Sequence, residues 1–221
     1  MDFSLSDEQV LLQDSVQRFI QNDYGFAIRQ KILDSEEGFS RHIWQSFADL
    51  GWLALPFSEA DGGIGGGSVE LMVLLEAFGK GLVVEPYLST VLLAGRCVEW
   101  GGSSQQKETL LAELIAGQCL GALAFVEPQA RFNLSDVTTT AVQKGDGYVL
   151  NGFKGVVLGG PTADFLVVPA RTSGAQRDEH GISLFVVSTD AIGVERRSYA
   201  TVDGGRAAEF TFTDVELASS S

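Results

Sequence analysis

The stretch ELIAGQCLGALAFVEP, residues 113–128, contains the point at which the pattern of the chain changes. Before Gly117, apolar residues recur every three or four positions, which is the period of a helix with one buried face. After Gly117 the period is two, in short runs that turn residues separate, which is typical of β-strands. The sequence therefore predicts a helical first part and an all-β second part that meet near residue 118.

Five helices are predicted in the first part. Ser6 and Gln9 have the spacing of a capping box, in which each side chain bonds the backbone amide of the other residue, so the first helix starts here. The other four helices have capping residues or a proline near their start and a glycine near their end. They follow Ser40 up to Gly51, follow Ser68 with the apolar residues Met72, Leu75 and Phe78 before Gly79, run from Tyr87 to about Trp100, and run from Gln105 to Ala116.

Seven strands are predicted in the second part. They cover residues 119–126, 138–144, 148–158, 164–170, 182–188, 193–199 and 207–215. Asp146-Gly147 predicts a hairpin turn, and RTSGAQRDEHG, residues 171–181, predicts a polar excursion. Because strands do not alternate with helices, a doubly wound α/β sheet is excluded. The predicted fold class is α+β, with an all-α helical bundle followed by an antiparallel β-barrel or sandwich.

The charge of the chain limits its partners. Its 221 residues carry a net charge of −14, and its pI is near 4.4. Nucleic acid and anionic membrane surfaces are therefore unfavourable partners. The sequence has no apolar run that approaches the ~20 residues of a membrane span and no leader pattern at its start, so we expect a cytoplasmic protein.

Few residues suggest a metal or phosphate site. Cys97 and Cys119 lack a ligand spacing, and we expect them to be buried apolar residues and no metal to be bound. The glycine-rich stretch DGGIGGGS, residues 61–68, matches neither the dinucleotide nor the Walker pattern and does not follow a strand. A connection that uses positive φ angles is the simpler interpretation.

Several motifs, in this order along the chain, resemble the first two domains of the acyl-CoA dehydrogenase family. They are PFSEADGGIGGG (56–67), EAFG (76–79), EP (127–128), GDGYVLNGFK (145–154), DAIGV (190–194) and FTFTDVEL (210–217). The stretches VVEPYLSTVLLAG (83–95) and EPQARFNLSD (127–136) are most similar to the small-subunit type represented by pimeloyl-CoA dehydrogenase.

The resemblance implies an N-terminal helical domain over 1–118, a middle β domain over 119–217 and, at 218–221, the start of a linker to a C-terminal helical domain that this sequence lacks. It implies an FAD-dependent enzyme that introduces a double bond into an acyl-CoA. Its substrates would include a dicarboxylyl-CoA such as pimeloyl-CoA. In the family a carboxylate removes the α-proton, the β-hydrogen leaves as hydride to the flavin, and an electron-transfer flavoprotein or similar acceptor takes the electrons. Since the carboxylate belongs to the C-terminal domain, no catalytic residue is assigned here, and we expect this chain alone to be inactive.

The resemblance also implies where the ligands lie. Glu127 would be a turn residue and not a base. Family positions that contact the flavin correspond to Phe125, Val126, Ser135, Val156 and Leu158, and those near the acyl-CoA correspond to Ser135 and Arg131.

Two alternatives stay open. Val126, Val156 and Leu158 replace a threonine, a tryptophan and a threonine of many relatives, and the turn before Ser135 is longer than usual, so the chain would lose flavin hydrogen bonds. The first alternative is therefore a non-catalytic, flavin-poor structural subunit of a heteromeric dehydrogenase, with a large subunit as its partner; the complete enzyme would otherwise be a homo-oligomer. The second is a carbohydrate- or protein-binding β-sandwich with a helical domain, although the sequence shows no aromatic platform for it.

Overall fold

The structure, a computed structural model, describes residues 4–221. The chain divides into two compact units. The first unit extends to Glu85 and also includes Ile115–Gly117, and the second comprises Pro86–Leu114 and Gln118–Ser221. Helices precede residue 118 and a curled sheet follows it, so the predicted fold class is confirmed. Within the described residues, no helix combines the length and the apolarity that crossing a bilayer requires.

The first unit contains four α-helices. They are α1 (Asp7–Asp23), α2 (Phe26–Leu33), α3 (Arg41–Asp49) and α4 (Ser68–Gly81). The capping box of α1 is present as predicted, because the Ser6 amide donates to Gln9 Oε1 at 2.9 Å and the Gln9 amide donates to Ser6 Oγ at 3.2 Å. Ser40 caps α3, and Gly51 follows this helix with a φ of 76°.

An aromatic cluster forms the core of the first unit. Phe47 of α3 stacks on Phe78 of α4 with ring centroids 4.9 Å apart. Trp52 and Phe19 pack against Phe47 at 5.2 and 5.6 Å, and Trp44 lies 6.2 Å from it. Offset and edge-to-face pairs of this kind stabilise a core beyond the burial of their area.

Two helices of the first unit differ from the prediction. Helix α2 was not predicted, because Gly25 gives it no side-chain cap and only Ile32 of its residues is buried. Helix α4 continues through Gly79 to Gly81 and ends at Leu82, which takes a left-handed φ of 51°. Its inner face also differs: the buried residues are Val73, Leu74, Ala77 and Phe78, whereas Met72 and Leu75 are exposed.

The glycine-rich stretch is a connection, as the simpler interpretation proposed. The amides of Gly63, Gly65 and Gly66 donate to carbonyl oxygens of Ser58, Phe57 and Leu55 at 2.8 Å each. These amides are therefore already used by the chain itself. A Cβ atom on Gly63 would lie 2.0 Å from the carbonyl oxygen of Phe57, so only glycine fits there.

A buried hydrogen bond joins distant parts of the first unit. The Tyr24 hydroxyl donates to Glu85 Oε2 at 2.6 Å, and the Ser40 amide donates to Glu85 Oε1 at 3.3 Å. Burial raises the pKa of the Glu85 carboxyl group, although these hydrogen bonds act in the opposite direction. Tyr24 therefore compensates in part for the cost of burying an acid.

The helices of the second unit contain π-helical turns. A π-helical segment, Leu88–Gly95, continues into α5 (Arg96–Gly101). After it come α6 (Ser104–Gln106), a second π-helical segment, Lys107–Leu111, and α7 (Ala112–Ile115), whose last residue belongs to the first unit. Cys97 is half-buried and Cys119 is buried, and both are free thiols.

Seven strands form one sheet in the second unit. They are β1 (Gly121–Leu123), β2 (Thr140–Lys144), β3 (Gly147–Leu158), β4 (Phe165–Arg171), β5 (Ile182–Ser188), β6 (Val194–Ala200) and β7 (Arg206–Leu217). Their order is β1-β4-β2-β3-β7-β6, and β5 pairs with the other edge of β4. Most pairs are antiparallel as predicted, but β4 pairs in parallel with β1 and, at one position, with β2.

The hairpin between β2 and β3 is shifted by one residue from the prediction. Lys144 pairs with Gly147, so the two-residue turn is Gly145-Asp146 and not Asp146-Gly147. Gly145 has a φ of 63°, which a primed turn requires at its first central residue. β1 is also shorter than predicted: it ends at Leu123, and the chain continues to Glu127 outside regular structure.

Candidate functional site

A buried ion pair joins the segment after β1 to β3. Lys154 Nζ donates to Glu127 Oε1 at 2.7 Å, and the two side chains are 0% and 1% exposed. The amides of Thr138 and Thr139 donate to the same carboxylate at 2.8 and 3.2 Å. The Thr138 hydroxyl and the Gln129 side chain donate to it as well. Glu127 therefore connects β3 to the chain segments on both sides of the turn that follows it.

The electrostatics of this pair keep Glu127 ionised. Burial by itself would raise the pKa of the Glu127 carboxyl group, but the hydrogen bonds from Lys154 and Thr138 and the nearby ammonium charge hold this pKa at about 2. Burial also lowers the pKa of Lys154, and the Glu127 carboxylate opposes that change. A buried carboxylate with so low a pKa is a poor general base near neutral pH. Glu127 is thus a structural partner of Lys154 rather than an ordinary turn residue.

Four of the predicted flavin-contacting residues lie on β3 and on the segment that runs beside it. The Gly155 amide donates to the Val126 carbonyl oxygen at 2.9 Å, so the segment that carries Phe125 and Val126 runs beside β3. Phe125, Val156 and Leu158 are 39%, 51% and 43% exposed. We call Phe125, Val126, Val156 and Leu158 the apolar rim. Exposed apolar residues that are grouped in this way indicate a contact surface.

A β-bulge shapes the rim. The pairing of β3 with β7 shifts between Lys154 and Val157, where β3 has one residue more than its partner strand. Within the bulge Val156 has a φ of 49°, which costs a β-branched residue roughly 1–2 kcal/mol. Bulges redirect side chains, and strained residues of this kind cluster at functional sites. Because the bulge immediately follows Lys154, the ion pair anchors it.

The turn after Glu127 contains the other two predicted residues. The Ser135 amide and hydroxyl both donate to Asn133 Oδ1, at 3.1 and 2.7 Å, so the hydroxyl hydrogen is used inside the turn. Arg131 is exposed and has a φ of 51°. In residues 4–221 no hydrogen bond links Ser135 or Arg131 directly to the apolar rim.

A polar network links this turn indirectly to the ion pair. Gln129 Nε2 donates to Glu127 Oε2 at 2.8 Å and to the Asp136 carbonyl oxygen at 3.2 Å. The Asp136 carboxylate accepts bonds from Gln176 at 2.6 Å and Arg177 at 2.7 Å. The hydrogen bond from Gln176 lowers the pKa of Asp136, and Arg177 adds to this effect, whereas burial opposes it. The network thus extends from Glu127 to the polar excursion between β4 and β5, residues 172–181.

A buried arginine holds the same two segments. Arg171, the last residue of β4, is 7% exposed. Its Nη1 donates to the carbonyl oxygens of Asp178 and His180 at 3.0 and 2.8 Å. Its Nη2 donates to those of Ser135 and Gln176 at 2.7 and 2.8 Å.

The buried polar residues of this site were not found by the sequence analysis. Buried Lys154, Asp136 and Arg171, and the exposed Gln129 that bonds Asp136, were not assigned a role, although each lies in a segment that the analysis considered. One signal was available for Lys154, since a lysine at an interior position of a predicted strand requires a partner if its face of the sheet is buried. The identity of that partner, 27 residues away, depends on the tertiary fold.

Comparison with known proteins decides the family. The model of the acyl-CoA dehydrogenase N-terminal domain matches residues 6–118, and that of the middle domain matches residues 122–215. The chain belongs to the acyl-CoA dehydrogenase family. The resemblance inferred from the motifs is confirmed at the level of the family.

Individual relatives and solved structures support the assignment. Benzylmalonyl-CoA dehydrogenase of Aromatoleum aromaticum is 31% identical over 196 residues, which are 88% of this chain and 50% of that protein. Several solved structures align with 100% of this chain. Three of them are the ChsE4-ChsE5 complex from Mycobacterium tuberculosis (25% identity, TM-score 0.86, 57% of that chain), the electron transferring flavoprotein of Acidaminococcus fermentans (27%, 0.88, 58%) and the FAD complex of PigA (25%, 0.90, 58%).

The chain spans about half the length of the relatives that it matches, between 50% and 58% for those named above. The match therefore concerns two domains of these proteins. The activity, substrates and partners of a whole acyl-CoA dehydrogenase are proposals when they are applied to this chain.

Acyl-CoA dehydrogenases are FAD flavoproteins, and the apolar rim fits the ring system of FAD in its chemistry. Phe125 offers an aromatic face and Val156 and Leu158 offer aliphatic surface, all at least 39% exposed. The rim contains no side-chain hydroxyl or amide group, so its side chains contact a ring without donating hydrogen bonds to it. The rim therefore fits the face of a flat ring.

Proposed function

We propose that this chain supplies the N-terminal domain (1–118), the middle domain (119–217) and the start of a linker (218–221) of an FAD-dependent acyl-CoA dehydrogenase, which introduces a double bond next to the thioester of an acyl-CoA. The observation that carries the proposal is the exposed apolar rim. The rim includes Val156 of the β-bulge that follows Lys154, and the chain belongs to a family of flavoproteins. FAD, when bound, supplies the acceptor for a hydride.

In this proposal the residues of the chain position and shield, and they do not transfer protons. The apolar rim excludes water from one side of the ring, which strengthens electrostatic interactions at the reacting atoms. The buried Glu127–Lys154 pair holds β3 at the residue that precedes the bulge. Because Glu127 is ionised and bound to Lys154, we assign no catalytic base to this chain.

The test uses the complete gene product, purified with any subunit that co-purifies. We expect visible flavin absorbance that survives gel filtration and is bleached by an acyl-CoA under anaerobic conditions. Phe125→Ala should weaken FAD retention, since it removes the aromatic surface of the rim. Phe132→Ala, which alters a fully exposed phenylalanine in the neighbouring turn, is the matched control. A colourless complete product that acyl-CoA does not alter would contradict the proposal.

The substrate that we propose is a dicarboxylyl-CoA such as pimeloyl-CoA, as in the small-subunit type that the sequence resembles. Arg131 supports this proposal, because it is an exposed cation in the turn that also contains Ser135. We expect Arg131→Ala to reduce kcat/KM for a dicarboxylyl-CoA but not for a monocarboxylyl-CoA of equal length. Equal effects on both thioesters would exclude Arg131 as a specificity residue.

A second candidate function is that of a non-catalytic, flavin-poor structural subunit in a heteromeric acyl-CoA dehydrogenase. The absence of the threonine hydroxyl groups at Val126 and Leu158 and of the tryptophan at Val156 favours it, and the ChsE4-ChsE5 structure shows that a similar chain occurs in a complex. A complete product that is colourless alone and becomes yellow only with a large subunit would support this candidate.

We propose an electron-transfer flavoprotein or a similar protein as the acceptor of the electrons. A solved structure of such a flavoprotein is among those similar to this chain. Steady-state dye reduction with acyl-CoA, measured with and without an electron-transfer flavoprotein, tests this partner. A rate that does not depend on the flavoprotein would contradict it.

A further inference from the structure

Arg171 is a buried cation whose contacts are carbonyl oxygens. Its two terminal nitrogens donate to four of them, those of Ser135, Gln176, Asp178 and His180. Its Nε is also buried and has no acceptor among the described residues. A buried charge without a counter-ion is costly, and an apolar residue would avoid that cost. Arg171 therefore lowers the stability of the fold compared with an apolar residue, while its hydrogen bonds fix the positions of the segments that it contacts.

The geometry that Arg171 sets is the distance between the excursion and the turn. Three of its four acceptors belong to the excursion, residues 172–181, and the fourth is the carbonyl oxygen of Ser135. The Val137 amide donates to the Gln176 carbonyl oxygen at 3.1 Å, and the side chains of Gln176 and Arg177 bond Asp136. The excursion is thus closed over the backbone on either side of Ser135.

We propose that Arg171 is a positioning residue. It holds the backbone of Ser135 against the excursion and thereby keeps Ser135 in place beside the ligands. The inference rests on the proposed function and on the expectation from the family resemblance that Ser135 lies near FAD and the acyl-CoA. The planar guanidinium is suited to this role because its fork reaches acceptors in two segments at once. Arg171 acts only through Ser135 and does not touch the ligands.

The first measurement tests the clamp without any ligand. Trypsin cleaves after Arg177, whose side chain is 74% exposed, but the three surrounding carbonyl oxygens are held by Arg171. We expect Arg171→Met to increase the rate of this cleavage at least about tenfold in the native protein, because cleavage follows local opening. Arg197→Met, which removes an exposed arginine of β6, should leave the rate unchanged.

The second measurement tests whether the clamp acts through Ser135. FAD dissociation constants are determined for the complete gene product and its variants Arg171→Lys, Ser135→Ala and the double variant. We expect Arg171→Lys to weaken FAD binding about fivefold in the wild type but less than about twofold in Ser135→Ala, since coupled residues are not additive. Arg171→Lys keeps the charge without the fork, so the test does not depend on whether Arg171→Met folds.

The outcomes separate the two proposals. If the wild type binds FAD and the Arg171→Lys effect is absent, or is the same with and without the Ser135 hydroxyl, the positioning role is refuted and the proposed function stands. If trypsin cleavage does not respond to Arg171→Met, the clamp itself is refuted. If the complete wild-type product binds no FAD while its cleavage does respond to Arg171→Met, the proposed function fails and the role toward the ligands falls with it.

Discussion

Replacing Lys154 with methionine removes the cation that compensates Glu127 and leaves a chain of similar length in its place. An upper bound on the cost follows from the pKa of Glu127, which Lys154 and Thr138 together lower from 4.5 to about 2 in the folded state. A difference of this size corresponds to about 3 kcal/mol at neutral pH, which agrees with the ~3–5 kcal/mol lost when one partner of a buried ion pair is removed. We therefore expect a Tm lower by up to roughly 6–12 °C.

The pH dependence of this loss follows from the sign of the shift. In the wild type the contribution of Glu127 is present above about pH 4.5 and is lost as the pH falls toward about 2, because the folded pKa is the lower one. In Lys154→Met the ammonium group is absent, so burial raises the pKa of Glu127 in the folded state. The variant is therefore less stable at pH values at which Glu127 is charged. The stability difference between the two proteins should therefore narrow as the pH falls from about 7 to about 4.5.

The assay is urea unfolding followed by far-UV circular dichroism at these two pH values. Lys144→Met is the matched control, because Lys144 pairs with Glu216 on the surface, where the side chains are 67% and 74% exposed. Such a pair contributes at most about 1 kcal/mol. The double variant Glu127→Gln/Lys154→Met, which carries no charge at the site, should regain part of the loss. A Lys154→Met loss no larger than that of Lys144→Met, or one that does not narrow with pH, would refute the reasoning.

Three further predictions concern single positions. Gly63→Ala should destabilise the first unit by more than about 2 kcal/mol in urea unfolding, since its Cβ would overlap the Phe57 carbonyl oxygen; an unchanged midpoint would contradict the structure there. Tyr24→Phe should cost about 1–3 kcal/mol at neutral pH and less in acid, where Glu85 is neutral, because burial raises the pKa of Glu85; thermal unfolding against pH measures this, and equal losses at both pH values would contradict it. Val156→Gly should stabilise the fold by about 1 kcal/mol while it weakens FAD retention; a lower Tm would show that its φ of 49° carries no strain.

Local signals in the sequence located most elements correctly. The capping box predicted α1, and β5 occupies the predicted residues Ile182–Ser188, because its alternation is bounded by turn residues on both sides. The segment 119–126 was read as one strand, but only Gly121–Leu123 pairs. Beyond Leu123 the chain makes isolated hydrogen bonds to β4 and β3, and Glu127 turns inward to Lys154; local propensity does not report that contact.

Elements without local signals were missed or misplaced. Helix α2 has neither a side-chain cap nor a continuous apolar face, and packing around Ile32 is what retains it. The end of α4 was placed at Gly79, whereas the residue that adopts the left-handed conformation is Leu82. Gly81 is instead favoured by packing, because a Cβ atom there would lie 2.9 Å from the side chain of Ile20 in α1, which would have to shift.

The candidate site also has residues that local motifs indicate and residues that only the tertiary fold brings together. The motifs pointed to the residues of the apolar rim, because they lie close to the Glu127-Pro128 pair and to the lysine of β3, and their contact with a flavin stays a prediction. They could not predict that Gln129 and Asp136 extend the ion pair to the excursion, since the bond from Gln176 to Asp136 joins residues on different loops. Their positions are set only when the sheet is complete.

The two buried cations of the second unit solve different problems. Lys154 has a carboxylate partner and directly precedes a bulge. Removing the Lys154 ammonium group should therefore reduce stability first and ligand binding as a consequence. Arg171 has backbone carbonyl oxygens instead, spread over two loops, so its removal should open those loops while the sheet remains folded. If Lys154→Met and Arg171→Met lowered the Tm equally and opened the excursion equally, the site would be a single cooperative network, and the separate roles argued here would not hold.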